Sequence, residues 1–211
     1  MLNNTNVLGI IFPNSYDATV PELVNVRLMA SIPFASRYRL VDFMLSSMAA
    51  CDITNISLLV NKNYVSLMDH LGSGREWDLV RKNGGLHLFP PNAEKVTSGY
   101  TGRVPQLAGI LTFLREQKEK YVVMADTNIA ANFDFKAMID AHIESGADVT
   151  VAYAKEEIPE AMIKNQDFSN LYFTFRMDGN RINKIYINSE EKGVQNLSMN
   201  IYIIDREFLI K

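Results

Sequence analysis

Val7-Leu-Gly-Ile-Ile-Phe12 runs directly into Pro13-Asn14-Ser15-Tyr16-Asp17-Ala18, and this junction decides the fold. An unbroken apolar run without polar alternation, stopped by proline and asparagine, predicts a short strand buried on both faces. Strands of that kind belong to parallel sheets covered by helices. The turn behind the strand contains no glycine, so it lacks the tight anion-cradling bend of a G-x-G-x-x-G segment or a P-loop. Many α/β proteins never carry such a loop. The junction alone therefore leaves open whether phosphate chemistry is missing here or was never present.

Working outward, strand-length apolar runs alternate with helix-period segments. A helix is predicted over Arg39 to Ala50, with Leu40, Phe43, Met44 and Ser47 on one face. Asn55 to Val60 reads as a second strand, and Tyr64 to Leu71 as a helix stopped by Gly72. Gly72 to Arg103 reads as a long loop region around a short strand, Leu86 to Phe89. Pro105 to Gln117 predicts one helix with proline in its first turn. Tyr121 to Ala125 is a further buried strand, Asp134 to Ser145 a helix, and Asp148 to Tyr153 a strand. Beyond it, Leu171 to Met177, Ile182 to Ile187 and Ser198 to Asp205 are strand-like, separated by turns such as Asp178-Gly179-Asn180. The expectation is an α/β protein, one unit over 1–211, with a mostly parallel sheet and antiparallel additions at one edge. Asp205 starts what reads as an N-capped helix cut in its second turn, as in a truncated chain.

Composition narrows the function classes. The 211 residues are 47% hydrophobic and 21% charged, with a net charge of -3, which excludes a disordered or low-complexity chain. The acidic balance offers no general attraction to nucleic acid or anionic lipid. A lone cysteine, Cys51, excludes an internal disulfide and a cysteine-based zinc site, as suits a reducing cytoplasm. The N-terminal apolar run is too short for a signal peptide or a membrane span.

Ligands in open α/β sheets sit beyond the carboxyl ends of the strands, here after Phe12, after Ala125 and around Gly99 to Gln106. Asp126, at a strand end, is either a metal ligand or a turn-capping carboxylate. Arg37, Arg39 and Asp42 crowd a helix start, where the arginines either bind a phosphorylated anion or sit at the surface with Asp42 as partner. His70, His87 and His142 show neither metal spacing nor a carboxylate partner, and read as structural or surface residues. Trp77 reads as a packing anchor.

Several stretches together resemble the ADP-glucose pyrophosphorylase (glucose-1-phosphate adenylyltransferase) family. Ile32-Pro-Phe-Ala-Ser-Arg-Tyr-Arg-Leu-Val-Asp-Phe-Met-Leu-Ser46 is similar to that family's V-P-F-G-G-K-Y-R-I-I-D-F-x-L-S. Ser66-Leu67, His70-Leu71 and Trp77 follow its S-L-x-x-H-L and downstream tryptophan, and Leu197-Ser-Met-Asn-Ile-Tyr-Ile203 resembles A-S-M-G-I-Y-I. The resemblance implies a Rossmann-like nucleotidyltransferase fold, and a chain ending before the close of that domain and before a C-terminal β-helix.

The resemblance is better to the family's branch of non-catalytic regulatory subunits, because the chemistry-bearing motifs are altered. The glycine-rich G-G-x-G-T-R-L is replaced by Phe12-Pro-Asn-Ser-Tyr16, and the lysine of K-P-A-V-P falls on Met29. The metal aspartate of S-G-D-H falls on Asn128, and G-T-A-D-A becomes Gly102-Arg-Val-Pro-Gln106. No catalytic residue and no metal ligand is expected, and no cofactor, with Mg²⁺ implied only for an active chain. Glu191, Lys192 and Ser198 match sugar-phosphate positions, and Arg39 an effector-anion position, although proline is replaced by Gly193 after the lysine. The implied role is a regulatory subunit in a hetero-oligomer with a catalytic ADP-glucose pyrophosphorylase subunit. The alternatives are an active sugar-phosphate nucleotidyltransferase using Asp126, or a stand-alone sugar-phosphate sensor.

Overall fold

A computed structural model describes residues 6–91, 102–164 and 171–211. The middle of the predicted loop, 92–101, lies outside the described residues, as does part of the Gly99 to Gln106 region. The parallel heart of the sheet is built from β1 (Val7–Phe12), β4 (Asn55–Leu59), β5 (Gly85–Phe89) and β6 (Tyr121–Asp126), in the spatial order β5-β4-β1-β6. A two-stranded hairpin, β2 (Pro33–Phe34) with β3 (Tyr38–Arg39), lies between β1 and β4 in sequence.

Beyond β6 the sheet turns antiparallel. The long strand β10 (Val194–Asp205) pairs β6 through its C-terminal half and carries β8 (Phe173–Asp178) on its N-terminal half. Strand β7 (Val149–Glu157) follows β10 along both halves, and β9 (Arg181–Ile187) closes the edge beside β8. The expected α/β arrangement and its antiparallel additions are present. Strand β10 starts four residues earlier than the predicted Ser198, because a bulge between Ser198 and Tyr202 lets it bend and continue.

Helices cover both faces, as the two-faced apolar strands require. Val7 and Ile11 of β1 point into the larger core, with α1 (Leu40–Ala50), α2 (Val65–Leu71) and α5 (Phe135–Ser145). Leu8, Ile10 and Phe12 point the other way, towards α4 (Leu111–Glu116) and the C-terminal α7 (Arg206–Ile210). On the same face as Val7 and Ile11, Gly9 lets the larger core pack closely: a Cβ there would lie 2.9 Å from Met48 Sδ and 3.3 Å from Ile56 Cγ1. The predicted helix over 105–117 is instead two, α3 (Arg103–Gly109) and α4, broken where Gly109 weakens the helix and buried Ile110 turns into the second core. A short α6 (Glu160–Lys164) follows β7.

Two local features explain how the motif around Arg39 folds. Asp42 sits at the third position of α1 and accepts the Arg39 backbone N–H at 2.9 Å, which caps the helix start. The hairpin just before it turns through Ala35 and Ser36 at φ 48° and 70°, the left-handed region that glycine favours. No helix among the described residues is long and apolar enough to cross a membrane.

Candidate functional site

The carboxyl ends of β1 and β6 lie side by side, with Phe12 opposite Asp126. Behind Phe12 the chain folds back on itself. Ser15 N–H donates to the Phe12 carbonyl at 3.4 Å and Asp17 N–H to the Asn14 carbonyl at 3.3 Å. The buried Asn14 side chain donates to Asp17 at 2.9 Å and to the Lys62 carbonyl at 3.1 Å, while its Oδ1 accepts Asn61 N–H at 2.7 Å. Asp17 in turn accepts the Met29 N–H at 2.7 Å. The Ser15 and Asp17 N–H groups of this turn are thus already bonded within the chain, and a buried carboxylate stands beside them. Burial pushes the Asp17 carboxyl up, against the pull of its bonds from Asn14 and Met29.

Asp126 is fully buried and forms an ion pair with Arg103, the first residue of α3. The guanidinium lies 5.6 Å from the Phe12 ring centroid and 5.7 Å from that of Tyr202, so two aromatic faces flank it. Burial pushes the Asp126 carboxyl up and the Arg103 charge pulls it back. Beside this pair, Tyr202 O–H donates to Asn200 Oδ1 at 2.9 Å, and Asn200 Nδ2 donates to the Tyr16 hydroxyl. Ser198 Oγ accepts the Asn200 N–H at 3.1 Å. Tyr16 and Asn200 both hold left-handed backbones, at φ 67° and 54°, and their bond ties the β1 turn to the β10 bulge. Burial raises both phenols above their ordinary value, Tyr16 by the larger amount.

Anionic oxygens for a divalent cation are few here: Asp126 Oδ2 is taken by Arg103, while Asp126 Oδ1 and the neutral Asn128 Oδ1 are buried without a hydrogen-bond partner. Asp126 already carries Arg103, and no cluster of three or more His, Cys, Asp or Glu side chains exists among the described residues. A hard cation wants several anionic or carbonyl oxygens. Met29, where the resemblance places a phosphate lysine, is buried in a short 3₁₀ turn.

The remaining sequence candidates are distributed. Ser198 joins the Tyr16–Asn200 network, whereas exposed Glu191 lines a separate shallow depression of about 450 Å³ with Lys155, Arg176 and Asn196. Lys192 is exposed and lines neither. Arg39 reaches across to α2, where its Nη1 donates to Ser66 Oγ at 2.8 Å and to the Ser66 carbonyl.

Two readings of the motif residues change. Asp42 pairs not with an arginine side chain but with His70, whose Nε2 lies 2.6 Å from Asp42 Oδ1. His70 therefore does have a carboxylate partner, 28 residues away in the chain and invisible to spacing arguments. Trp77 packs on the larger core, meets His70 edge-on at 6.1 Å and donates to Ser46 Oγ at 3.2 Å, as an anchor should. His142 bonds Thr150 Oγ1 at 2.8 Å, and His87 is enclosed by Phe89 and Phe113, where burial lowers its pKa. Sequence reasoning missed Arg103, Tyr16, Asn200 and Tyr202 as members of one site. The available signal was Ser198 and Asn200, two polar residues interrupting an apolar strand.

Parallel strand ends carrying a carboxylate, a bent turn behind the first strand and a neighbouring apolar cavity place the candidate site at the carboxyl edge of an α/β sheet. That cavity, about 150 Å³, lies between β4, β5 and α3 and is lined by Leu59, Phe89, Pro105, Gln106 and Ile110 among others. The Nucleotidyl transferase family profile matches residues 26–162, and the chain belongs to that family. It is 40% identical over 149 residues, 70% of this chain and 43% of the relative, to the glycogen biosynthesis protein GlgD of Geobacillus stearothermophilus. Identity to GlgD of Bacillus subtilis is 37% over 71% of this chain and 44% of that protein. A glucose-1-phosphate adenylyltransferase of Bacillus mycoides is 34% identical over 62% of this chain and 35% of its own length. The chain thus spans less than half the length of the curated relatives it matches. A crystal structure of a putative glucose-1-phosphate thymidylyltransferase from Bacillus anthracis, in complex with sucrose, shares the fold at TM-score 0.73 and 14% identity, covering 96% of this chain and 73% of that one.

Proposed function

We infer that this chain is a regulatory, catalytically deficient subunit acting in glycogen biosynthesis, one that modulates a catalytic glucose-1-phosphate adenylyltransferase. The observation that carries the reading is the state of the strand ends: Asp126 is held by Arg103, and in the turn behind β1 the Ser15 and Asp17 N–H groups are bonded to the Phe12 and Asn14 carbonyls. Adenylyl transfer brings two polyanions together, so cationic groups, metal and backbone donors do most of the work. This chain presents a buried carboxylate in the turn, a thioether at Met29 and an amide at Asn128. The similarity to the two GlgD proteins supports the same reading.

Modulation then requires differential contacts: a surface that binds the active conformation of the catalytic partner better than the inactive one shifts that equilibrium. The test is pyrophosphate release from ATP and glucose 1-phosphate with Mg²⁺, using the full-length protein alone and mixed with a catalytic homologue. The expected result is background turnover alone and a changed rate or effector response in the mixture. Robust turnover by the protein alone would overturn the reading.

A further inference from the structure

We propose that Arg103 is a resident cation that latches α3 onto the ends of β1, β6 and β10 by compensating the buried charge of Asp126. Three independent observations converge on it. First, Asp126 is fully buried while the Arg103 side chain keeps 24% of its surface exposed, so the arginine is the lid and the carboxylate the floor. A buried carboxylate without a cation is strongly disfavoured, and removing one member of such a pair leaves the other uncompensated.

Second, the guanidinium lies between Phe12 from β1 and Tyr202 from β10, with Asp126 from β6 beneath. One side chain therefore touches three neighbouring strands. The planar, delocalised guanidinium suits this slot as an ammonium does not, because it stacks on rings while bonding a carboxylate in its own plane.

Third, α3 is only lightly packed against the other described residues. None of its residues is fully buried, Val104 is 76% exposed, and the helix is bracketed by Gly102 at φ 77° and by Gly109. Leu107 packs against the smaller core from its partly buried position. The helix also forms one wall of the 150 Å³ cavity, through Pro105 and Gln106. Releasing Arg103 would free that wall and uncover Asp126 together. The latch rests on the same ion pair that carries the reading above; exchange at 103–109 tests the latch, whereas pyrophosphate release tests that reading.

Hydrogen exchange read by mass spectrometry on the full chain tests it, with wild type, Arg103→Met, Asp126→Asn and the double variant. In each single variant, exchange in peptides covering 103–109 is expected to accelerate about tenfold or more, while peptides of α5 keep wild-type rates. The double variant is expected to be no looser than either single one, since both remove the same contact. Millimolar Mg²⁺ is expected to leave the wild-type melting temperature unchanged. Unchanged exchange at 103–109 in the folded single variants would overturn the proposal, as would additive effects in the double variant or a wild-type melting temperature raised by Mg²⁺. Should Arg103→Met fail to fold, Arg103→Lys decides: a smaller acceleration at 103–109 supports the latch, and wild-type exchange there overturns it.

Discussion

Replacing Asp42 by alanine removes two things at once. The Arg39 N–H loses the side-chain cap of α1, and His70 loses an acceptor 2.6 Å away. A helix cap is worth about 1 kcal/mol. A hydrogen bond to a charged group contributes about 1.5 kcal/mol where, as here, the side chains are only 11% and 20% exposed. The sum, about 2–3 kcal/mol, corresponds to a melting temperature roughly 4–12 °C lower for a chain of this size. Thermal and urea unfolding of Asp42→Ala, His70→Ala and the double variant would measure it, with an expected coupling of about 1 kcal/mol between the two sites. His70→Gln, which can still donate to Asp42, should recover part of the loss. Additive single effects, or an Asp42→Ala variant within about 0.5 kcal/mol of wild type, would refute the view that these motif residues clamp α1 to α2. They would then be surface residues whose pairing in the structure carries no energy.

Other expectations follow from the same geometry. Burial raises the Asp17 carboxyl, so the folded state binds its proton more tightly than the unfolded chain, and stability should fall as pH rises from the ordinary carboxylate value through the raised one. Asp17→Asn should flatten that acid-side slope in urea titrations, and an unchanged slope would assign it elsewhere. Ala35 and Ser36 hold left-handed backbones in an exposed turn, so replacing both with glycine should stabilise the protein by about 1–2 kcal/mol. A loss of stability in unfolding experiments would argue that the hairpin adopts another turn. Finally, Asn128→Asp combined with Met29→Lys should leave pyrophosphate release at background, because Arg103 still holds Asp126 and the Ser15 and Asp17 N–H groups of the β1 turn stay bonded within the chain. Turnover by that variant would place the defect in those two residues alone.

Much of the fold was readable from local pattern. The run Val7 to Phe12 is β1 to the residue, and the helix expected over 39–50 differs only in that Arg39 is its cap. Where the reading went wrong, a tertiary demand overrode a local signal. The single helix expected over 105–117 breaks because Ile110 is needed in the second core, and β10 runs past its expected start because a bulge lets one strand serve two neighbours. The residues around the strand ends were only partly legible. Motif comparison marked Met29 and Asn128 as departures; in the structure Met29 is buried in a short 3₁₀ turn and Asn128 Oδ1 is buried without a partner.

By itself, the sequence determined the layered α/β class, the strand order of exposure and burial, and the absence of a glycine cradle behind β1, since hydrophobic periodicity and turn chemistry act over a few residues. Only the tertiary structure decided what fills the resulting space. Arg103 reaches Asp126 across 23 residues, Asn200 reaches Tyr16 across 184, and His70 reaches Asp42 across 28. Such pairings are set by the sheet order that brings distant strand ends together, and no spacing along the chain encodes them.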